Sequence, residues 1–289
     1  MRSKGEMLDL ILDTAREDDY IRAALLNGSR ANPKAPCDPF QDFDVVFLVT
    51  DVTPFRHNLA WIKRFGELMI LQMPEEMGDP APVSDGRFTY LMQFMDGNRI
   101  DLSIVPLPLA DQLIQDSLTE ILLDKDGRFT SLPPADDRDY HPQPPTAKAF
   151  SDCCNEFWWV CPYVAKGLWR EEILYAKYFL EHQVREQLMK MLAWYAGLKT
   201  GYAQSQGKSG KYLQDQLESE LWQALLDTYS DADYKNTWEA LFIACSLFRT
   251  TATRVAAHFV FDYPHEDDQQ VSAHLKHVRN LPKDAVEIY

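Results

Sequence analysis

Two aspartates separated by a single residue are the first feature of the chain that could do chemistry. Asp42 and Asp44 stand at the start of the apolar run Phe43–Val49, which predicts a strand. Because residues two apart in a strand project to the same side, we expect both carboxylates on one face. Paired carboxylates repel each other unless a cation lies between them, and hard oxygen ligands of this kind suit Mg²⁺. The pair therefore predicts a magnesium site.

A Gly-Ser turn lies upstream of this pair. Gly28 and Ser29 follow the apolar segment 21–26, which predicts another strand. A glycine lets the backbone approach a phosphate closely, and the N–H groups of such a turn can hold an anion together with a serine hydroxyl. Arg30 is adjacent and could neutralise phosphate charge, with an exposed arginine as an equal alternative. The turn predicts a phosphate-binding site.

A third carboxylate is available on a later strand. The strand-like runs 88–94 and 99–105 are joined by Asp96-Gly97, a strong hairpin signal, and Asp101 falls within the second run. A charged residue inside a hairpin strand usually just faces water. For Asp101, a place in one carboxylate cluster with Asp42 and Asp44 is the better explanation.

The order of these motifs is what carries a family resemblance. Gly-Ser, then roughly a dozen residues, then Asp-x-Asp and a later Asp resembles the signature of the nucleotidyltransferase superfamily that includes DNA polymerase beta. Four longer sequence segments are similar to the bacterial aminoglycoside 6-adenylyltransferases, which inactivate streptomycin. These segments are GSR, QDFDVVFLV, DGNRIDLSIVPL and NEFWWVCPYVAKGLWREEILYAK. The resemblance extends from about Asn27 to Trp194.

The resemblance implies adenylyl transfer from MgATP to a hydroxyl of streptomycin, with release of pyrophosphate. It implies that Asp42 and Asp44 bridge two Mg²⁺ ions and that Asp101 binds the ion that activates the attacking hydroxyl. Gly28 and Ser29 would hold the β- and γ-phosphates of ATP. Another small acceptor, such as a different aminoglycoside or a lincosamide, stays open, and so does a non-catalytic nucleotide-binding module.

Two further sets of charged residues are candidates in the C-terminal half. Glu156 in NEFWW, and Glu171 or its neighbour Glu172 in GLWREE, are candidates for the general base. Each could instead be a surface charge or could bind the guanidinium groups of the drug. Lys166 and Lys211 are candidates for reaching the triphosphate, with solvated lysines as the alternative.

Strand-like and helix-like segments are segregated along the chain, which predicts an α/β (α+β) protein. We expect a nucleotidyltransferase domain at 1–135, with a small mixed sheet flanked by helices, and an all-helical substrate-binding domain at 146–289. The Pro-rich stretch 136–145 is the predicted linker, because prolines prevent a regular element. In the second half, 171–195 predicts the longest clean helix, with Gly197 as its cap.

The charge of the chain narrows the class of partner. Its 289 residues carry a formal net charge of −15, which argues against nucleic acid, since phosphate backbones are bound by basic surfaces. An acidic protein attracts cations instead, and streptomycin is a polycation. No run approaches the ~18 uncharged apolar residues of a membrane span, and the N-terminus becomes acidic too early for a signal peptide. We therefore expect a cytoplasmic protein with no membrane or nucleic-acid partner. A monomer is favoured, with the oligomeric state left open.

Overall fold

The computed structural model describes residues 1–82, 85–129 and 132–289. The chain divides into two compact units, Met1–Asp139 and Tyr140–Tyr289. This division falls inside the stretch 136–145, for which a linker is predicted. That each unit is an independent domain stays a prediction. No helix within the described ranges is long and apolar enough to cross a membrane.

A mixed sheet forms the centre of the first unit. Its strands are β1 Ile21–Asn27, β2 Phe43–Val49, β3 Leu68–Gln72, β4 Phe88–Phe94, β5 Arg99–Pro106 and β6 Thr119–Asp124. They lie in the order β3-β4-β5-β2-β1-β6. Strands β2 and β5 pair in parallel, whereas the other neighbouring pairs are antiparallel. The predicted α+β class with a small mixed sheet is thereby confirmed.

Strand β2 is buried on both faces of the sheet because apolar residues continue along its whole length. Phe43 and Phe47 lie in one buried cluster, to which the helix α1, Lys4–Glu17, contributes as well. Val46 belongs to a separate cluster on the opposite face. This alternation is the one that the period of two predicts, so Asp44 shares its face with Val46 and not with the phenylalanines. The sheet core therefore fixes the direction in which the aspartate points.

Short helices and turns complete the first unit. Helix α1 begins at a capping box, in which the Ser3 hydroxyl accepts from the Glu6 N–H at 3.3 Å and the Glu6 carboxylate accepts from the Ser3 N–H at 2.7 Å. The other α-helices of this unit are α2 Leu59–Ile62 and α3 Ala110–Leu113. The predicted Asp96-Gly97 hairpin turn joins β4 to β5, and Gly97 adopts a positive φ there.

Residues 140–289 form an all-helical second unit. Its α-helices are α4 Ala147–Trp169, α5 Ile173–Phe179, α6 Arg185–Thr200, α7 Leu213–Gln216, α8 Ser219–Asp227, α9 Tyr234–Phe259 and α10 His265–Asn280. A π-helical turn, Leu180–Val184, joins α5 to α6 without a break. Buried aromatic and aliphatic side chains from these helices form one hydrophobic cluster. In it, the rings of Phe157 and Phe248 stack with centroids 3.8 Å apart.

The predicted cap at Gly197 is wrong. Helix α6 continues to Thr200, and Gly201 ends it in the left-handed conformation with φ +58°. Gly197 lies inside the helix, where an added Cβ would meet Tyr202 Cε1 at 2.3 Å. Its missing side chain therefore makes room for a returning aromatic ring, while the glycine one turn later supplies the positive φ that ends the helix.

The end of α9 supplies a stability prediction. Val260 caps this helix in the left-handed region, with φ +58° and ψ +44°, and its side chain is 90% exposed. A β-branched residue pays steric strain there that glycine does not. We expect Val260→Gly to raise the free energy of unfolding by about 0.5–1 kcal/mol, after the extra freedom that glycine gives the unfolded chain is subtracted.

Urea unfolding measures this difference, with Val260→Ala as the matched control. Alanine keeps a Cβ and hence much of the strain, so it should gain clearly less than glycine. An equal gain from both variants would show that the exposed isopropyl group, and not the backbone conformation, is the source of the effect.

Candidate active site

Parallel pairing brings two of the predicted carboxylates side by side. Asp44 on β2 lies directly opposite Asp101 on β5, and Asn27, the last residue of β1, lies opposite Asp44 on its other side. Asp42 comes one residue before β2 begins, and the guanidinium of Arg99 reaches both Asp42 and Asp101. We call Asp42, Asp44 and Asp101 the aspartate cluster; the structure brings them together at one end of the sheet.

The Gly-Ser turn packs directly against this cluster. Gly28–Arg30 forms a single 3-10 turn immediately after β1. Gly28 has φ +68°, and a Cβ placed on it would lie 2.2 Å from Asp44 Oδ2, far inside van der Waals contact. Both the backbone conformation and the available space therefore require glycine at this position. The turn and the carboxylate, separated in sequence, are in contact in the fold.

Arg30 binds the protein's own backbone. Its Nε donates to the carbonyl oxygen of Asp42 at 2.9 Å, and its Nη2 donates to that of Gln41 at 2.6 Å. The guanidinium also lies 3.7 Å from the ring centroid of Phe43. Burial lowers the pKa of Arg30, while nearby acidic groups oppose that shift. Arg30 thus fastens the Gly-Ser turn to the start of β2, and its phosphate-binding role stays a prediction.

A second guanidinium lies within the aspartate cluster. Arg99 Nε and Nη2 each donate to one carboxylate oxygen of Asp101 at 2.8 Å, and Nε is 3.6 Å from Asp42 Oδ2. The hydrogen bonds to Asp101 raise the pKa of Arg99 against the effect of burial, and the charges of Asp101, Asp42 and Asp44 raise it further. Sequence reasoning missed Arg99. The signal that could have found it is its spacing of two from Asp101, which places both side chains on one face.

The aspartate cluster fits a divalent cation by its chemistry. Its ligands are hard carboxylate oxygens, the type that Mg²⁺ prefers, and they already attract a cationic side chain. Across residues 1–82, 85–129 and 132–289, no group of three or more His, Cys, Asp or Glu side chains is arranged to hold a metal ion. In this arrangement Arg99 engages both oxygens of Asp101. A guanidinium thus supplies the positive charge that the cluster requires.

The predicted carboxylates of the second unit have different surroundings. Glu156 is exposed on α4. Glu171 follows α4 with φ +61°, and the backbone N–H groups of Glu171 and Glu172 bond back into the last turn of the helix. The Glu171 carboxylate lies 3.0 Å from Lys283 Nζ. The backbone of Glu171 thus ends a helix, and the role of either glutamate as a base stays a prediction.

The predicted lysines of the second unit contact aromatic rings. Lys166, on α4, places its ammonium 5.0 Å from the ring centroid of Tyr163 and 5.5 Å from that of Tyr175. Lys211 lies 5.0 Å from the ring of Tyr212. Such cation–π contacts hold an ammonium in place without neutralising its charge. Both lysines therefore keep their charge available to an anion, and phosphate binding by them stays a prediction.

Comparisons with known proteins give matches over most of the chain. A family model described as streptomycin adenylyltransferase matches residues 1–278. An aminoglycoside 6-adenylyltransferase of Campylobacter jejuni is 42% identical over 270 residues, which are 93% of each chain. One from Bacillus subtilis is 40% identical over 270 residues, covering 93% of this chain and 95% of its own. A crystal structure of an aminoglycoside 6-adenyltransferase from Bacillus subtilis is 36% identical, covers 97% of this chain and 100% of its own, and has a TM-score of 0.49.

Gly28→Ala tests whether the turn must touch the aspartate. The added methyl group would overlap the Asp44 carboxylate and displace it, and a displacement of about 1 Å costs roughly 10²-fold in turnover. We expect a loss of that size in nucleotidyl transfer, measured as kcat, while circular dichroism reports a folded protein.

Gly97→Ala is the matched control for this prediction. Gly97 also has a positive φ, +89°, but an added Cβ would meet nothing within 4 Å. The two substitutions therefore share the backbone penalty and differ in the clash. If both variants lose turnover equally, the contact between Gly28 and Asp44 is not what the site requires.

Proposed function

The chain belongs to the streptomycin adenylyltransferase family, and from this premise we propose that it transfers AMP from MgATP to a hydroxyl group of streptomycin. It is a nucleotidyltransferase, with ATP as its co-substrate. The observation that carries the proposal is the contact of Gly28 with Asp44, because it joins the phosphate-binding turn to the aspartate cluster. Relatives named aminoglycoside 6-adenylyltransferase support an aminoglycoside as the class of acceptor.

In the proposed reaction the hydroxyl oxygen of the acceptor attacks the α-phosphorus of ATP. The bond from that phosphorus to the bridging oxygen breaks, and pyrophosphate leaves with the electron pair. Gly28 and Ser29 hold the β- and γ-phosphates through the backbone and the serine hydroxyl. Asp42, Asp44 and Asp101 would hold two Mg²⁺ ions, which supply charge neutralisation at the phosphates and lower the pKa of the attacking hydroxyl. The protein's task is thus positioning and charge balance.

A carboxylate of the second unit takes the proton of the attacking hydroxyl in this proposal. Within the described part of the chain Glu156 makes no ion pair, whereas the Glu171 carboxylate lies 3.0 Å from Lys283. A general base must be able to turn toward the hydroxyl and accept its proton, and a carboxylate held by an ammonium group is less free to turn. We therefore favour Glu156. Lys166 and Lys211 are the proposed contacts to the triphosphate from this unit.

The charge of the protein supports a cationic acceptor. A net charge of −15 attracts polycations over long range and raises their local concentration near the surface. Streptomycin carries guanidinium groups, which pair with carboxylates through two parallel hydrogen bonds. The same charge opposes binding of a polyanion such as RNA, so a small cationic acceptor agrees with the proposal.

Mass spectrometry of streptomycin incubated with ATP, Mg²⁺ and the protein tests the proposed reaction. We expect the drug to gain one AMP with the wild type, and no gain with Asp44→Asn, because the variant lacks one charge of the aspartate cluster. Asp51→Asn is the matched control: Asp51 follows the opposite end of β2 and accepts a hydrogen bond from the Thr53 N–H at 2.9 Å.

Each alternative acceptor gives a different result in that experiment. AMP on another aminoglycoside or on a lincosamide, with streptomycin unmodified, would retain the chemistry and replace the acceptor. If ATP is bound but never consumed with any of these acceptors, the chain is a non-catalytic nucleotide-binding module and the proposed reaction is wrong.

Glu156→Gln tests the proposed base. Loss of a general base costs about 10²–10⁴-fold in rate, and it should appear in kcat while the KM for ATP changes little. Glu171→Gln, which removes the pair with Lys283, is the comparison and should retain kcat close to the wild type. The opposite pattern, with the loss in Glu171→Gln, would assign the proton transfer to Glu171 instead.

A further inference from the structure

We propose that Arg99 is a built-in competitor of the divalent cation, which balances the aspartate cluster by pairing with Asp101 and gives up that pairing when the metal binds. This inference rests on the proposed function, because it takes the aspartate cluster as the metal site. It assigns to Arg99 control over metal affinity.

The geometry of the pair supports competition for the same oxygens. The guanidinium fork donates from two nitrogens to the two oxygens of Asp101, both at 2.8 Å. The same Nε lies 3.6 Å from Asp42 Oδ2, so the positive charge is shared by two members of the cluster. Bidentate pairing is the strongest contact that a guanidinium makes with a carboxylate. A metal ion on Asp101 would therefore share oxygens that already accept hydrogen bonds from the guanidinium.

Electrostatic repulsion between Arg99 and a bound metal ion makes the effect of Arg99 on metal affinity unfavourable. A divalent cation on these carboxylates would lie within a few ångströms of the guanidinium, and like charges at that separation repel. The side chain of Arg99 is 39% exposed and that of Asp101 is 21% exposed, so the pair is open to ions from solvent. By linkage, the free energy by which the Arg99–Asp101 contact weakens metal binding equals the free energy by which bound metal weakens that contact.

A role for Arg99 in folding alone predicts the reverse effect. If the guanidinium only held Asp101 in a shape suited to the metal, its removal would weaken metal binding. If it competes, its removal strengthens metal binding. Arg22 on β1 and Asp126, which follows β6, form another arginine–aspartate pair at the opposite end of β1 from Asn27. That pair is the matched control, because it has the same chemistry without the aspartate cluster.

Titration with Mn²⁺ in the absence of nucleotide, followed by the electron paramagnetic resonance signal of the free ion, measures the affinity directly. We expect Arg99→Gln to bind Mn²⁺ about twofold to fivefold more tightly than the wild type, which lies within the range that an exposed charge pair supports. Arg22→Gln should bind as the wild type does. Unchanged or weaker binding by Arg99→Gln overturns the inference.

An Asp44→Asn arm separates failure of this inference from failure of the proposed function. If Asp44→Asn loses the Mn²⁺ site but Arg99→Gln gains no affinity, only the competition by Arg99 is wrong. If wild type and Asp44→Asn bind Mn²⁺ equally, the aspartate cluster is not the metal site, and the inference and the proposed metal ligands are both wrong.

A second measurement follows the guanidinium itself and does not depend on how well the glutamine variant folds. The Nε–H resonance of Arg99 in wild-type protein with labelled arginine is assigned by its absence from Arg99→Lys. On addition of Mg²⁺ this resonance should move as the contact with Asp101 is released, while that of Arg22 stays in place. An Arg99 resonance that does not respond to saturating Mg²⁺ contradicts the inference.

Discussion

Mutual repulsion of carboxylates at one end of a sheet is the constraint on which the first unit depends. The parallel pairing of β2 with β5 sets Asp44 directly beside Asp101, and the buried clusters on the two faces of the sheet hold both strands in that register. Without a cation such an arrangement is unfavourable. Arg99 supplies the positive charge through Asp101, and Gly28 lets the backbone come close to the carboxylate of Asp44. Neighbouring carboxylates beside a Gly-Ser turn are suited to a ligand that combines a metal cation with phosphate groups.

Most of the first unit could be predicted from local patterns. Alternation with a period of two predicted the strand β2 and the face on which Asp44 projects, and the Asp96-Gly97 signal predicted the hairpin that carries Asp101. These predictions succeeded because the buried sheet enforces the pattern along several consecutive residues. Asp42 lies one residue before β2, so a shared face for the two aspartates stays a prediction. The predicted helix end at Gly197 was wrong because Gly197 and Gly201, one turn apart, carry the same local signal. Only packing decides which of the two glycines ends the helix.

The contacts that make a site could not be read from the sequence, because they join distant segments. Gly28 contacts Asp44 only in the folded protein. Likewise, Glu171 pairs with Lys283, which is far from it in the sequence. Composition favoured a cationic acceptor without naming it. Family membership supports an aminoglycoside as the class of acceptor. Neither composition nor family membership identifies Arg99, whose guanidinium the fold places on Asp101.

The most direct test of the account is a crystal structure of the protein with Mn²⁺ and α,β-methylene-ATP, which cannot release pyrophosphate. Anomalous scattering at the manganese edge locates the ions independently of the density for the nucleotide. The account predicts manganese bound to the oxygens of Asp42 and Asp44, with the β- and γ-phosphates on the backbone of Gly28 and Ser29. Manganese or nucleotide bound elsewhere, with Asp101 still paired to Arg99, would contradict it.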